Sequence, residues 1–179
     1  MTEHTIAIEV LAKLPIFQSM TEPQRRQILD IASTMEFAPG EVVMRQGKNS
    51  QNLLVVLEGH CQVVKTVGDQ NRSSFVLAEL GPDDHFGEMS FFQAAPHSAT
   101  VSALTALKLL RIERKDYDVL LADESLAAYK LAFNILDELA DRLRRMDGWV
   151  TELMNDDAQA ARVSEWSSFR EKLFKGWNL

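Results

Sequence analysis

Between Phe37 and Ile112 the chain is a series of short apolar runs separated by glycines, and this alternation restricts the fold more than any other feature. The runs are Val42–Met44, Leu53–Leu57, Cys61–Val67, Phe75–Leu80, Thr100–Leu104 and Leu107–Ile112, with glycines at 40, 47, 59, 68, 81 and 87. Each run has strand length, and glycine at the joints supplies the positive φ and close backbone approach that sharp reversals need. Gly68-Asp69-Gln70-Asn71 reads as a hairpin tip. No helical stretch of about 10–15 residues separates the runs, which argues against a doubly wound parallel sheet. An antiparallel β-roll, jelly-roll-like in outline, is expected.

Both ends are helical, which makes the fold class α+β: N-terminal helices, the roll, and a long C-terminal helix. Ile6, Val10, Leu11 and Leu14 share a stripe that stops before Pro15. Thr21-Glu22-Pro23-Gln24 has the form of a capping box with proline early in the first turn. The stripe Ile28, Leu29, Ile31, Ala32 predicts that this helix runs to about Thr34, before Ala38-Pro39-Gly40 breaks it. After Asp123, Leu126, Tyr129, Phe133, Leu136, Ala140, Leu143 and Val150 recur at three- and four-residue steps, broken at Asp147, a seam suited to pairing with another helix. A second stripe, Leu131, Ile135, Leu139, Met146 and Leu153, lies beside it. Two apolar faces fit two partners, the chain's own β-core and a second copy, or else one wide face buried within the monomer.

The last segment carries Val163, Trp166, Phe169, Leu173, Phe174 and Trp177 at helical spacing. Its balanced charges, Arg162, Arg170, Lys172 and Lys175 against Asp156, Asp157, Glu165 and Glu171, lack the basic excess of a membrane-surface helix and suit docking on protein. The expected organisation is therefore 1–122 for the N-terminal helices and roll, 123–154 for the long helix and 155–179 for an amphipathic tail.

Composition narrows the function. The 179 residues are 46% apolar and 25% charged, enough to build a core and unlike collagenous or disordered chains. Nineteen Lys and Arg face 26 Asp and Glu, and the net charge of -7 argues against a general binder of nucleic acid or anionic membrane. A single cysteine, Cys61, excludes an internal disulfide framework and a cysteine-cluster zinc site; its apolar neighbours predict a buried thiol. No secretory leader and no apolar run of about 18 residues is present, so a cytoplasmic protein is expected.

The chemistry concentrates in Phe86-Gly87-Glu88-Met89-Ser90-Phe91-Phe92-Gln93-Ala94-Ala95-Pro96-His97-Ser98-Ala99-Thr100-Val101. Gly87 lets backbone approach a ligand, and Glu88 offers a carboxylate to accept from hydroxyls. Ser90 to Ala95 suit one helical turn with N–H groups facing an anion, closed by Pro96, and the amides of Ser98 and Ala99 complete an anion nest. A hydroxyl acceptor beside an anion nest points to a sugar phosphate.

This stretch resembles the phosphate-binding cassette of the cyclic nucleotide-binding domains found in bacterial catabolite activator-type regulators and protein kinase A regulatory subunits. Their pattern is Phe-Gly-Glu, a short helix, then Pro-Arg-Ser/Ala-Ala-Thr-Val. Leu14-Pro15-Ile16-Phe17, Ala38-Pro39-Gly40-Glu41, Gln46-Gly47, Leu57-Glu58-Gly59 and Leu80-Gly81-Pro82 also resemble the family, which the chain follows from Leu14 to Leu121. The resemblance implies that Gly87, Glu88, Met89, Ser90, His97, Ser98 and Ala99 lie at a cyclic nucleotide, cAMP or cGMP, with Glu88 accepting from the ribose 2′-hydroxyl. It implies further that the long helix is the family's C-helix, which closes over the base and, in catabolite activator relatives, forms the homodimer.

One position departs. Where the family has its phosphate-binding arginine, this chain has His97. Arginine brings a permanent charge and a fork matched to two phosphate oxygens, whereas an unperturbed histidine is only about a quarter charged at pH 7. The exchange is expected to cost roughly 2–5 kcal/mol of phosphate binding in a buried site, or else His97 is a solvent-facing remnant. Asp83 stands where the family often has glycine and tolerates left-handed geometry. His85 stands at a usual aromatic position and is expected to pack.

Only about 25 residues follow Met154, against the 50 or more of an independent domain. A winged helix-turn-helix and sequence-specific DNA binding are accordingly not expected. Nor is catalysis or a metal: there is no Gly-x-Ser-x-Gly elbow, no phosphate-loop motif and no His-x-His pair. The expectation is a regulatory sensor, homodimeric through the long helix, with a protein partner reached through the tail. The alternative is a structural or scaffolding homodimer that keeps the roll without a ligand.

Overall fold

The computed structural model describes residues 8–68 and 73–155, apart from the side chains of residues 149, 150 and 152–155. Ile6 of the first stripe, residues 69–71 of the expected hairpin tip and the tail from 156 onward lie outside the described residues.

Among the described residues, eight strands form two four-stranded sheets. One runs in the order β1 (Ala32–Phe37), β8 (Leu107–Glu113), β3 (Asn52–Glu58), β6 (His85–Phe86). The other runs β2 (Val42–Met44), β7 (Thr100–Ala103), β4 (Cys61–Val67), β5 (Ser73–Leu80). Every neighbouring pair is antiparallel. Leu54, Val56, Cys61, Phe86, Val101 and Leu109 make the buried cluster of the roll. Among the described residues β5 is an edge strand, paired with β4 alone, and Phe75, Val76 and Leu77 are all more than half exposed.

The helices are α1 (Ile8–Lys13), α2 (Glu22–Asp30), α3 (Glu88–Phe92), α4 (Arg114–Ala122) and α5 (Leu126–Asn155). Gln24 Oε1 accepts from the Thr21 N–H at 2.9 Å, the capping arm its spacing predicts. The described residues fall into two compact units, one ending at Ile135 and one beginning at Leu136. Within the first, Asn134 Nδ2 donates to the Ile16 carbonyl at 2.7 Å and Lys130 Nζ to the Ser19 carbonyl at 2.9 Å, tying the N-terminal segment to the start of α5. Here Leu131 and Ile135 are fully buried, whereas Tyr129 and Phe133 are exposed, so the two stripes have separate environments.

Three expectations are corrected. The α2 helix ends at Asp30 rather than Thr34, because Ala32 to Phe37 pair in register with Ile112 to Leu107. The sheet ladder outweighs the helical spacing of Ile31 and Ala32. The short cassette helix occupies Glu88–Phe92, earlier than Ser90–Ala95, because left-handed Gly87 starts it and extended Gln93 ends it before Pro96. Residues 114–122, assigned no element from sequence, form α4. Among the described residues no helix is long and apolar enough to cross a membrane.

Candidate ligand-binding cassette

Gly87 sets the geometry of the cassette. Its φ is 88°, a conformation that L side chains rarely adopt, and a Cβ there would run into the Asn52 carbonyl oxygen on β3. The turn therefore threads against the roll only as glycine. It delivers Glu88 to the first position of α3, where the residue is 7% exposed. Ser90 spends its hydroxyl locally, donating to the Gly87 carbonyl at 3.1 Å. Met89, placed at the ligand by resemblance, is 68% exposed.

His97 is not a solvent-facing remnant: it is 6% exposed. Its Nε2 and Ser50 Oγ are hydrogen-bonded at 2.8 Å. Its main chain is fixed as well, since its N–H donates to the Lys48 carbonyl and its carbonyl accepts from the Gly47 N–H, both at 2.9 Å. Burial pushes the imidazole pKa below its ordinary 6.5, which favours the neutral ring. Beyond it, Ser98 is exposed and Ala99 buried. Among the described residues neither backbone N–H donates to a main-chain carbonyl.

The loop that holds His97 is itself pinned. Gln46 Oε1 accepts from the Thr66 N–H and its Nε2 donates to the Thr66 carbonyl, both at 2.9 Å, so a side chain imitates a strand residue at the end of β4. At the far end of α3, Arg114 Nη1 donates to the Phe91 and Phe92 carbonyls at 2.9 and 3.2 Å. Tyr117 on α4 lies 5.1 Å, centroid to centroid, from Phe91 and donates through its hydroxyl to the Ala128 carbonyl at 3.0 Å. Cassette, α4 and the first turn of α5 are thus in direct contact.

The left-handed turn expected at Asp83 is present, with φ 76°, and His85 packs at 1% exposure on β6. Sequence reasoning missed Ser50, Asn52 and Arg114. The first two reach the cassette through tertiary pairing and carry no local signal; Arg114 heads α4, a helix to which the sequence reading assigned no element. Among the described residues no group of three His, Cys, Asp or Glu side chains is placed to hold a metal ion.

An eight-stranded antiparallel roll whose Phe-Gly-Glu turn leads into a short buried helix defines a class, and comparison identifies it. The family model of the cyclic nucleotide-binding domain matches residues 34–124, and the chain belongs to that family. It is 30% identical over 111 residues to a cAMP-dependent protein kinase regulatory subunit of Dictyostelium discoideum, covering 62% of this chain and 34% of that protein. The chain thus spans about a third of the length of this curated relative. Thermus thermophilus catabolite activator protein superposes with a TM-score of 0.68 at 28% identity, over 78% of this chain and 62% of that one. The regulatory subunit of a cAMP-independent protein kinase A from Trypanosoma brucei gives 0.62 at 25% identity, over 75% and 46% of the two chains. A mutant of the Trypanosoma brucei subunit with three substitutions, one of them threonine to arginine, has been solved with cAMP in the A site; it gives 0.55 at 26% identity, over 72% and 50%.

Proposed function

We propose that the chain is a non-catalytic, cytoplasmic regulatory sensor whose cassette binds a ribose-bearing nucleotide-type ligand and passes occupancy to α4 and α5. The observation that carries this is Gly87 threaded against Asn52, which places buried Glu88 at the start of α3, where the family has its ribose acceptor. Glu88 takes the ribose side, Gly87, Met89 and Ser90 line it, and Ser98 and Ala99 offer amides on the far side. The contacts of Phe91 with Tyr117, and of Tyr117 with Ala128, supply the route outward.

The ribose half of the cassette suits a cyclic nucleotide, while in the phosphate half His97 stands where the family has a permanently charged arginine, so phosphate binding is expected to be weaker and to strengthen at acidic pH. The relative described as cAMP-independent, and its mutant with a threonine-to-arginine change solved with cAMP, accord with a family in which this chemistry varies. Output runs through a homodimer formed by the exposed seam of α5, with Leu126, Tyr129, Phe133 and Leu136 each 44–64% exposed. A tail partner and the absence of DNA binding belong to the same reading.

Thermal unfolding against a panel of nucleosides, nucleotides and cyclic nucleotides tests it. Saturation at a hundred times Kd adds about 2.7 kcal/mol, a clear shift in midpoint. A shift with any ribose-bearing compound supports the sensor. No shift across the panel, with a dimer in light scattering, supports a ligand-free scaffold instead.

A further inference from the structure

We infer that Lys48, which lies outside the cassette, supplies the positive charge that meets the phosphate of its ligand. This rests on the sensor reading above and names a further binding residue of the same site.

Residues 86–101 contain no lysine or arginine, so a permanent cation for a phosphate has to come from elsewhere in the chain. The loop 45–51 between β2 and β3, Arg-Gln-Gly-Lys-Asn-Ser-Gln, holds two cations and no carboxylate. It runs along the cassette from Thr100 to Phe91. The Gln46 N–H donates to Thr100 Oγ1 at 3.1 Å, and the Gly47 N–H donates to the His97 carbonyl at 2.9 Å. Further on, Ser50 Oγ and His97 Nε2 are 2.8 Å apart, and Gln51 Nε2 donates to the Phe91 carbonyl at 3.3 Å.

Of the loop's two cations, Lys48 is the one bonded to position 97: its carbonyl accepts from the His97 N–H at 2.9 Å. Its backbone is held again by a turn in which its own N–H donates to the Arg45 carbonyl at 3.1 Å, and the residue is exposed. A lysine ammonium on its flexible four-carbon stem, about 6 Å long, spans the distance from there to the Ser98 and Ala99 amides that follow His97. It meets a phosphate as a compact point charge with three donors. Arg114, the guanidinium that touches the cassette helix, is committed to the Phe91 and Phe92 carbonyls, and its Nε lies 2.6 Å from Asp118 Oδ1. At neutral pH His97 then contributes position more than charge, its ring holding Ser50 and its main chain holding Lys48. The charge withdrawn from position 97 stands on the loop beside it.

Isothermal titration of the full chain at neutral pH with cAMP, cGMP and adenosine, in wild type, K48Q, K48R and R45Q, decides it. K48Q is expected to bind the cyclic nucleotides at least about tenfold more weakly than wild type, the loss of one charge-assisted contact. K48R, which keeps the charge, is expected to stay within about threefold of wild type, as is R45Q, which removes an equal charge from the same loop. A K48Q chain that binds cyclic nucleotide as tightly as wild type overturns the inference. So does an equal loss in R45Q, which would make the effect a general field of the loop, and so does an equal loss for adenosine, which has no phosphate to meet. Binding of neither cyclic nucleotide by wild type also overturns it and leaves the sensor reading standing; silence across the wider panel overturns that reading too. If K48Q does not melt cooperatively, K48A takes its place.

Discussion

Arg114 holds Phe91 twice: its Nη1 donates to the Phe91 carbonyl at 2.9 Å, and its guanidinium carbon stands 5.9 Å from the centroid of the Phe91 ring. The carbonyls at the end of a five-residue helix have few partners of their own, so one side chain from the next element finishes the cassette and stiffens its aromatic residue.

Arg114→Ala removes donors for two carbonyls together with the stacking, and is expected to cost about 1–3 kcal/mol. Urea unfolding measures this. A change within a few tenths of a kcal/mol, against surface controls of about that size, shows that water or Gln51, whose Nε2 already reaches the Phe91 carbonyl at 3.3 Å, replaces the guanidinium fully.

Gly87 and Gly40 separate two costs of a side chain. Both have positive φ, 88° and 85°, but a Cβ at Gly40 meets nothing within 4 Å whereas one at Gly87 strikes the Asn52 carbonyl. Gly40→Ala is expected to cost about 1–2 kcal/mol from backbone geometry alone, and Gly87→Ala about 3 kcal/mol or more. Denaturant midpoints of the two variants, compared directly, check the order.

His97 gives the fold an acid sensitivity. Its folded pKa lies below the 6.5 of the free side chain, so between those values the unfolded chain binds more protons. Stability is then present above about pH 6.5 and falls as pH drops through the folded value. Melting temperature followed downward from neutral pH is expected to fall less steeply in His97→Gln than in wild type.

Cys61 acts at the other end of the scale. Burial first, and the Asp84 carboxylate second, push its thiol up to about 11 from 9.0. Its contribution is complete below pH 9 and is lost as pH rises toward about 11. A thiol-specific reagent at mildly alkaline pH is expected to leave the native chain unlabelled and to label it in denaturant.

Phe133 is 64% exposed on the seam of α5. On the proposed homodimer, light scattering is expected to find wild type dimeric and Phe133→Asp monomeric, while the melting curve of the dilute chain stays cooperative; a monomeric wild type overturns the dimer. A variant that remains dimeric places the self-association on another surface.

The strands with dense apolar runs were legible from sequence: β4 begins and ends at Cys61 and Val67 as its run does, and β3 and β5 differ from theirs only at the margins. The cassette turn was legible as well, Gly87 through its residue type and Asp83 through its resemblance to a usual glycine position, and both have positive φ. β1 was not, since Ala-Ser-Thr-Met-Glu-Phe carries weak strand preference and is extended by pairing with β8, some 70 residues away. β6, two residues long, has no period to read. The enclosure of His97 depends on Ser50, 47 positions distant, so sequence alone left open whether that ring faced solvent.

The edge formed by β5 carries a hazard of its own. Three successive apolar residues, Phe75, Val76 and Leu77, lie outside the core on a strand with a neighbour on one side only. Such a segment is a template on which an identical strand from another molecule can lay down, and it has no proline to interrupt it. Heating or concentrating the protein is therefore expected to favour edge-to-edge growth at this margin, and Val76→Lys is the economical substitution to block it.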